Sequence, residues 1–288
     1  MRRLFSFLVI VTAILFSTLA RAARVQDEIP FKLVQGFGIV VQGEIGSESN
    51  LNFLFDTGAV PSVLSERVAS RLGVAGPKES FALLDKNLTA EYVTVNGVRM
   101  GWVRTNALPM VVLDLEGLSR VLGIRIDAIV GLGVLAHQTF SIDYKHGRIT
   151  SGLSGKACHA LPVEIYISAG APYWVLPITL GEQTFRVLLD TGANDLALFA
   201  GHAGGHLADT ATGSIKPAKV TGEIETRVLK PSLMVMGDAS FKKQLAVEMA
   251  NPRGTALPEI DGVLGPVAVG ITRVEFDWEH MRMRWDAE

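Results

Sequence analysis

Phe53-Leu54-Phe55-Asp56-Thr57-Gly58-Ala59 recurs in the same chain as Val187-Leu188-Leu189-Asp190-Thr191-Gly192-Ala193. In each copy three large apolar residues lead into an Asp-Thr-Gly triplet, and Ala follows. A short apolar run of this kind reads as a buried strand, and the glycine permits a tight turn with close backbone approach. Each copy therefore puts one carboxylate at a strand end, in a loop. Two equivalent carboxylates on a duplicated scaffold are what a hydrolase needs to activate water between two acids.

The duplication reaches far beyond the motif. Asp56 and Asp190 stand 134 positions apart. The same offset relates Asp127 to Asp261, Ile129-Val130-Gly131 to Val263-Leu264-Gly265, and Arg148 to Arg282. It also relates Phe140-Ser141-Ile142-Asp143-Tyr144 to Val274-Glu275-Phe276-Asp277-Trp278. Upstream, Ile29-Pro30-Phe31 resembles Leu161-Pro162-Val163 with the offset slipped to 132. The slip fits loop differences such as the longer Ser47-Glu48-Ser49-Asn50 turn against Glu182-Gln183-Thr184. One register held over most of the chain predicts two homologous lobes, 27–154 and 160–288, joined near Gly155 to Leu161.

Composition narrows the function classes. The chain has 288 residues, 48% hydrophobic and 19% charged, enough for two globular cores. Its net charge of −2 offers no basic field for nucleic acid. The one cysteine, Cys158, excludes an internal disulfide and sits at the lobe boundary, where it reads as structural or incidental. Residues 1–22 read as a secretory signal: basic Met1-Arg2-Arg3, an apolar stretch from Leu4 to Leu19, then Ala20-Arg21-Ala22. Cleavage before Ala23 predicts a periplasmic or secreted protein, and an uncleaved N-terminal membrane anchor is the alternative.

The coarse pattern is β-rich. Ile39-Val40-Val41, Leu51 to Phe55, Tyr92 to Val95 and Val103 to Val112 read as strands in the first lobe. Trp174 to Leu180, Phe185 to Leu189, Ile224 to Leu229 and Leu245 to Met249 do so in the second. Ser65 is placed to cap a short helix through Leu72, stopped by Gly73, and Asp114 to Leu122 suits another. The matching region Gly201 to His206 is too Gly-rich for a good helix. Both lobes are expected to be mainly antiparallel.

If the lobes pack about a pseudo-twofold axis, Asp56 and Asp190 meet. Two carboxylates in hydrogen-bonding reach share one proton, because both cannot ionise cheaply. Such a pair binds water between its members. The ionised member takes a proton from the water, and the protonated member gives one to the carbonyl oxygen of the scissile amide. No metal or organic cofactor is required. Thr57 and Thr191 can hydrogen-bond backbone across the axis and stiffen the two loops.

These residues resemble the pepsin and retropepsin superfamily of aspartic proteases, most of all the bacterial two-lobed, retropepsin-like proteins. The resemblance rests on the paired Asp-Thr-Gly-Ala loops, the apolar segments ending at Gly131 and Gly265, and the two terminal hairpins. It implies two β-barrel lobes with the active site between them, catalytic Asp56 and Asp190, and support from Thr57, Gly58, Thr191 and Gly192. It further implies a monomer acting on peptide or protein, with Ala59, Ala193, Asn194, Asp195 and Gly222 near substrate. By position, Lys86-Asn87 and Thr221-Gly222 fall near two hairpin tips that close over a peptide. Retropepsins often pair an acidic residue after the motif with an Arg after the apolar-apolar-Gly segment. Here Leu132 and Pro266 take the arginine's place, and Val60 replaces the acid in the first lobe.

Other residues read more plainly. Asp143 and Asp277 are duplicated but belong to terminal hairpins and read as structural. His202 and His206 have metal-like spacing, yet Gly-Gly lies between them and no Glu does, so no metal is expected. Asn87-Leu88-Thr89 is a glycosylation sequon relevant only in a eukaryotic secretory route. The primary reading is an exported aspartic endopeptidase. The rival is a non-catalytic peptide-binding protein that retains the fold.

Overall fold

Why the Asp-Thr-Gly segments read as unbroken apolar runs is plain once their neighbours are seen. The computed structural model describes residues 27–82, 87–155, 157–168, 171–203, 227–231, 233–242, 244–249, 251 and 259–288. Strand Glu48–Phe55 lies between Gly38–Ile45, antiparallel, and Ala128–Val130, parallel, with Phe55 facing Ile39 on one side and Val130 on the other. Strand Gln183–Leu189 lies likewise between Ala171–Leu180 and Gly262–Leu264, with Leu189 beside Leu264. A strand paired on both edges and covered on both faces has no solvent side, so alternation disappears. Phe53, Leu54, Phe55, Val187, Leu188 and Leu189 are all buried.

The expected helices form where their signals lie. Helix Glu66–Leu72 starts at Ser65, whose Oγ accepts from the Val68 N–H at 3.3 Å, and ends at Gly73 with φ 64°. Helix Glu116–Leu122 likewise ends at a left-handed glycine, Gly123. In the second half the described residues show one helical turn, Ala200–Ala203, at the matching place, and the Gly204 to His206 part of that stretch lies outside them.

The described strands are mainly antiparallel, as expected, with some parallel exceptions, and two further features differ from the sequence reading. Among the described residues four strand pairs are parallel: the two that flank the motifs, Ser62–Ser65 with Leu108–Leu113, and Leu196–Phe199 with Ala246–Met249. Hydrophobic alternation fixes which face is buried, and it carries no information on a neighbour's direction. The segment Val103 to Val112 is two strands, Val103–Thr105 and Leu108–Leu113. Between them Thr105 Oγ1 donates to the Ala107 carbonyl at 3.2 Å and closes a local turn. The connector is also shorter than expected, because His159–Pro162 is already a strand against Arg282–Ala287.

The two sequence halves share a sheet. Strand Phe140–Asp143 pairs with Ile271–Asp277, setting Phe140 opposite Phe276 and Ile142 opposite Val274. One face of this ladder is core: the Phe140 and Phe276 rings stack at 4.4 Å, and Trp174 meets Phe276 edge-on at 4.8 Å. The other face is polar and roofed by the chain leaving the first half. There the fully buried Glu275 carboxylate accepts from the Ser154 N–H at 3.1 Å and its hydroxyl at 2.8 Å, with Arg284 at 3.4 Å. A buried carboxylate held this way anchors the connecting segment to the shared sheet.

Candidate active site

Each Asp-Thr-Gly loop is fastened by the same set of bonds. The Asp56 N–H donates to the Val130 carbonyl at 3.0 Å, and the Asp190 N–H to Leu264 at 2.9 Å. Within the loops, Gly58 N–H donates to Asp56 Oδ1 at 2.9 Å and Gly192 N–H to Asp190 Oδ1 at 2.8 Å. Ala59 and Ala193 close each turn by donating to the carbonyls of Asp56 and Asp190. The glycines at the ends of the propping strands allow this: a Cβ on Gly131 would strike the Ala59 carbonyl, and one on Gly265 the Ala193 carbonyl.

Thr57 and Thr191 then tie the two loops together. Thr57 N–H donates to Thr191 Oγ1 at 3.0 Å, and Thr191 N–H donates to Thr57 Oγ1 at 3.0 Å. Each hydroxyl passes its own proton onward, Thr57 to the Leu189 carbonyl at 2.8 Å and Thr191 to Phe55 at 3.1 Å. Both threonines are buried. This exchange brings the carboxyl groups of Asp56 and Asp190 within hydrogen-bonding reach of each other. Each also covers the opposite loop: a Cβ at Gly58 would overlap the Asp190 carboxylate, and one at Gly192 the Asp56 carboxylate.

The pairing has an electrostatic consequence. Burial pushes the Asp56 carboxyl well above the usual carboxylate range, and the charge of Asp190 and a hydrogen bond with it push the same way. The Gly58 and Ala59 N–H groups oppose this. Tyr173, buried in strand Ala171–Leu180, has its hydroxyl pushed up by burial and then by the charges of Asp190 and Asp56. Its ring therefore stands in the field of both carboxylates. The sequence reading missed it, and only the Tyr173-Trp174 start of an apolar strand marked it.

A further repeated pair of aspartates, Asp127 and Asp261, holds the loops from behind. Asp127 Oδ2 accepts from Asn52 N–H at 2.9 Å, and Asp261 Oδ2 from Arg186 N–H at 2.6 Å. Each begins the strand that props its loop. In the first half Arg67 closes on the buried Asp127, and in the second His202 lies 2.6 Å from Asp261. His206, noted for its spacing from His202, lies outside the described residues, as do residues 1–22, Lys86, Thr221 and Gly222.

The remaining positions fall as follows. Ala59 packs against the Val40, Leu54 and Ile129 cluster, and Ala193 against the Tyr173, Phe199 and Val263 cluster. Val60, from the first half, joins the second of these clusters. Asn194 is exposed and Asp195 half-buried. Leu132 and Pro266, where retropepsins often carry arginine, are buried at the start of short 3-10 turns. Asp143 and Asp277 each accept from a histidine three residues on, His146 and His280, at their hairpin turns.

Residues 41–134, which include Asp56, its prop strand and Gly131, match the family model described as aspartyl protease. That match covers about a third of the chain. No curated protein matches the chain. The second Asp-Thr-Gly loop lies beyond the matched residues. Among the described residues, no group of three His, Cys, Asp or Glu side chains is placed to hold a metal ion.

Proposed function

We propose that the protein is an exported aspartic endopeptidase whose single active site is the Asp56/Asp190 pair, set between two lobes related by a pseudo-twofold axis. The observation that carries this reading is the exchange of hydrogen bonds between Thr57 and Thr191, one from each sequence copy. It has no purpose in a chain that needs only one of the two loops.

The chemistry follows from the shared proton. The pair shares one proton, so one carboxyl is the acid and the other the base; with Asp56 written as the acid, Asp190 is the base. A water between them loses a proton to Asp190 as its oxygen attacks the scissile carbonyl carbon. Asp56 protonates the carbonyl oxygen, giving a neutral tetrahedral diol with no covalent bond to the enzyme. The proton on Asp190 then passes to the amide nitrogen, the C–N bond breaks, and one diol proton returns to Asp56. The Gly58 and Gly192 N–H bonds each fix one oxygen of their carboxylate.

Asp56→Asn and Asp190→Asn each test the assignment on an unstructured protein substrate. Activity is expected to fall below a few per cent while circular dichroism stays native. Single variants that keep more than this would sink the dyad and favour a different chemistry. Export through removal of residues 1–22 is checked by N-terminal sequencing, with Ala23 expected first. A monomer is expected because one chain supplies both loops, and sedimentation showing an obligate dimer would contradict it.

A further inference from the structure

The two Asp-Thr-Gly loops are held alike, yet the strands beside them end differently. In the first half Val40 faces Leu54, and both lie in one cluster. In the second half Val175 faces Leu188, and both lie in another. Alternate residues of a strand share a face, so two steps further along each ladder reach the dyad on that same face. In the first half that step sets Gly38 across from Asp56. In the second it sets Tyr173 across from Asp190. Tyr173 packs in the cluster of Val175, Leu188 and Ala193, which fixes its face, while Trp174 turns the other way, against Phe276.

Asp190 thus has a phenol for a cross-strand neighbour, and Asp56 has a glycine. The first half has no room for the same arrangement, because a Cβ on Gly38 would already crowd the Val34 side chain at 2.9 Å. The charges agree with the ladder: after burial, Asp190 acts on the Tyr173 hydroxyl more strongly than Asp56 does. Tyr166, paired with Tyr173 from strand Glu164–Ser168, is the other titratable group that acts on it. The buried Tyr144 hydroxyl also lies in the field of Asp190, with its ring held edge-on to Phe31.

We propose that Tyr173 is a positioning residue that makes the two aspartates unequal, its O–H favouring the charge on Asp190 so that the shared proton rests on Asp56. The proposal rests on the endopeptidase reading and deepens it, because it says which carboxylate is the base. Burial keeps the phenol neutral, and a hydroxyl hydrogen rotates to suit its surroundings. Beside a carboxylate it turns its positive end to the charge, and whatever favours the charged form lowers that group's proton affinity. Asp56 has no such neighbour at the matching place and keeps the proton. The attacking water then gives its proton to Asp190, and a bound peptide offers its carbonyl oxygen to Asp56.

The test compares the wild type with Tyr173→Phe, which keeps the ring and loses only the hydroxyl. On a cleaved peptide, the acidic limb of the pH profile of kcat/KM is expected to move up by about one pH unit, the size of one hydrogen bond to a charge. The basic limb, set by the second ionisation at Asp56, should move much less. A profile that falls in height with its limbs unmoved makes Tyr173 merely structural and overturns the proposal, as do two limbs that move equally. The proton is also read directly, by carbon-13 NMR of carboxyl-labelled aspartate, the two signals being assigned by their loss in Asp56→Asn and Asp190→Asn. At a pH between the two ionisations, wild-type Asp190 is expected to show a carboxylate signal and Asp56 a carboxylic acid signal, a difference that shrinks in Tyr173→Phe. Equal signals in the wild type, or a difference that Tyr173→Phe leaves intact, would overturn the proposal. If no form cleaves any peptide, the endopeptidase reading fails, and the NMR signals still decide the role of Tyr173.

Discussion

Replacing Thr57 by valine keeps the shape of the side chain and removes one oxygen. In the structure that oxygen accepts from Thr191 N–H and donates to the Leu189 carbonyl, in a region without solvent. Valine strands the Thr191 N–H, a buried donor with no alternative, at about 1–3 kcal/mol. Loss of the bond to Leu189 adds about 1 kcal/mol. The total, ~2–4 kcal/mol, is a large part of the ~5–15 kcal/mol that holds a typical domain. For a chain of this size it corresponds to a melting point lower by about 4–12 °C. Thr57→Ser keeps both bonds and should lose only the methyl contribution, about 1 kcal/mol. The assay is urea unfolding followed by tryptophan fluorescence, with peptidase activity measured on the same samples. Activity should fall in Thr57→Val before global unfolding, because the loops separate first. If Thr57→Val costs no more than Thr57→Ser, the hydroxyls do not hold the loops together and the account of the site is wrong.

Other outcomes follow from the same geometry. Gly192→Ala sets a methyl group into the Asp56 carboxylate, so activity should drop about a hundredfold or more with the fold retained, and a variant of near-normal rate would refute the close approach. Asp56 has a raised proton affinity in the fold, so the folded chain keeps a proton that the unfolded chain has released. Stability contributed by Asp56 is then present in acid and lost as pH rises, at up to ~1.4 kcal/mol per pH unit. Asp56→Asn lacks this term, so its melting point should gain on the wild type between acid and neutral pH, and a constant difference would contradict the sign. The activity optimum should lie nearer neutrality than pepsin's, since Ala59 and Ala193 lack the hydroxyl that in pepsin-like motifs favours the charged carboxylate. Ala59→Ser with Ala193→Ser should move both limbs of the pH–rate profile down, and an unmoved profile would assign the titration to burial and other neighbours.

Much of the site was legible because its chemistry is local. The motif strands, their buried character, the Ser65 cap and the Gly73 stop all depend on residues a few positions apart. The duplication made Asp127 and Asp261 visible too, yet their role needed the structure, since their partners Asn52 and Arg186 are 75 residues away. A carboxylate repeated at the head of an apolar strand was the available signal. Pairing partners were not legible. Phe140–Asp143 and Ile271–Asp277 are each amphipathic, which says that a face is buried and not which strand lies alongside. Tyr173 escaped for a similar reason, because nothing local shows that its strand begins beside two carboxylates from different loops.

The ladder between Phe140–Asp143 and Ile271–Asp277 also sets an order of events during synthesis. The first half emerges with one edge of its last hairpin unpaired and with Phe140 and Ile142 lacking their cover. That edge is closed only by residues 271–277, which are made well after it. Contacts between residues so distant in sequence form late, because loop closure must precede them. Until then the nascent chain presents an open strand edge that favours association with other chains. The same delay keeps the two Asp-Thr-Gly loops apart. A chain cut short before residue 271 is thus expected to be sticky, with its two Asp-Thr-Gly loops not yet held together.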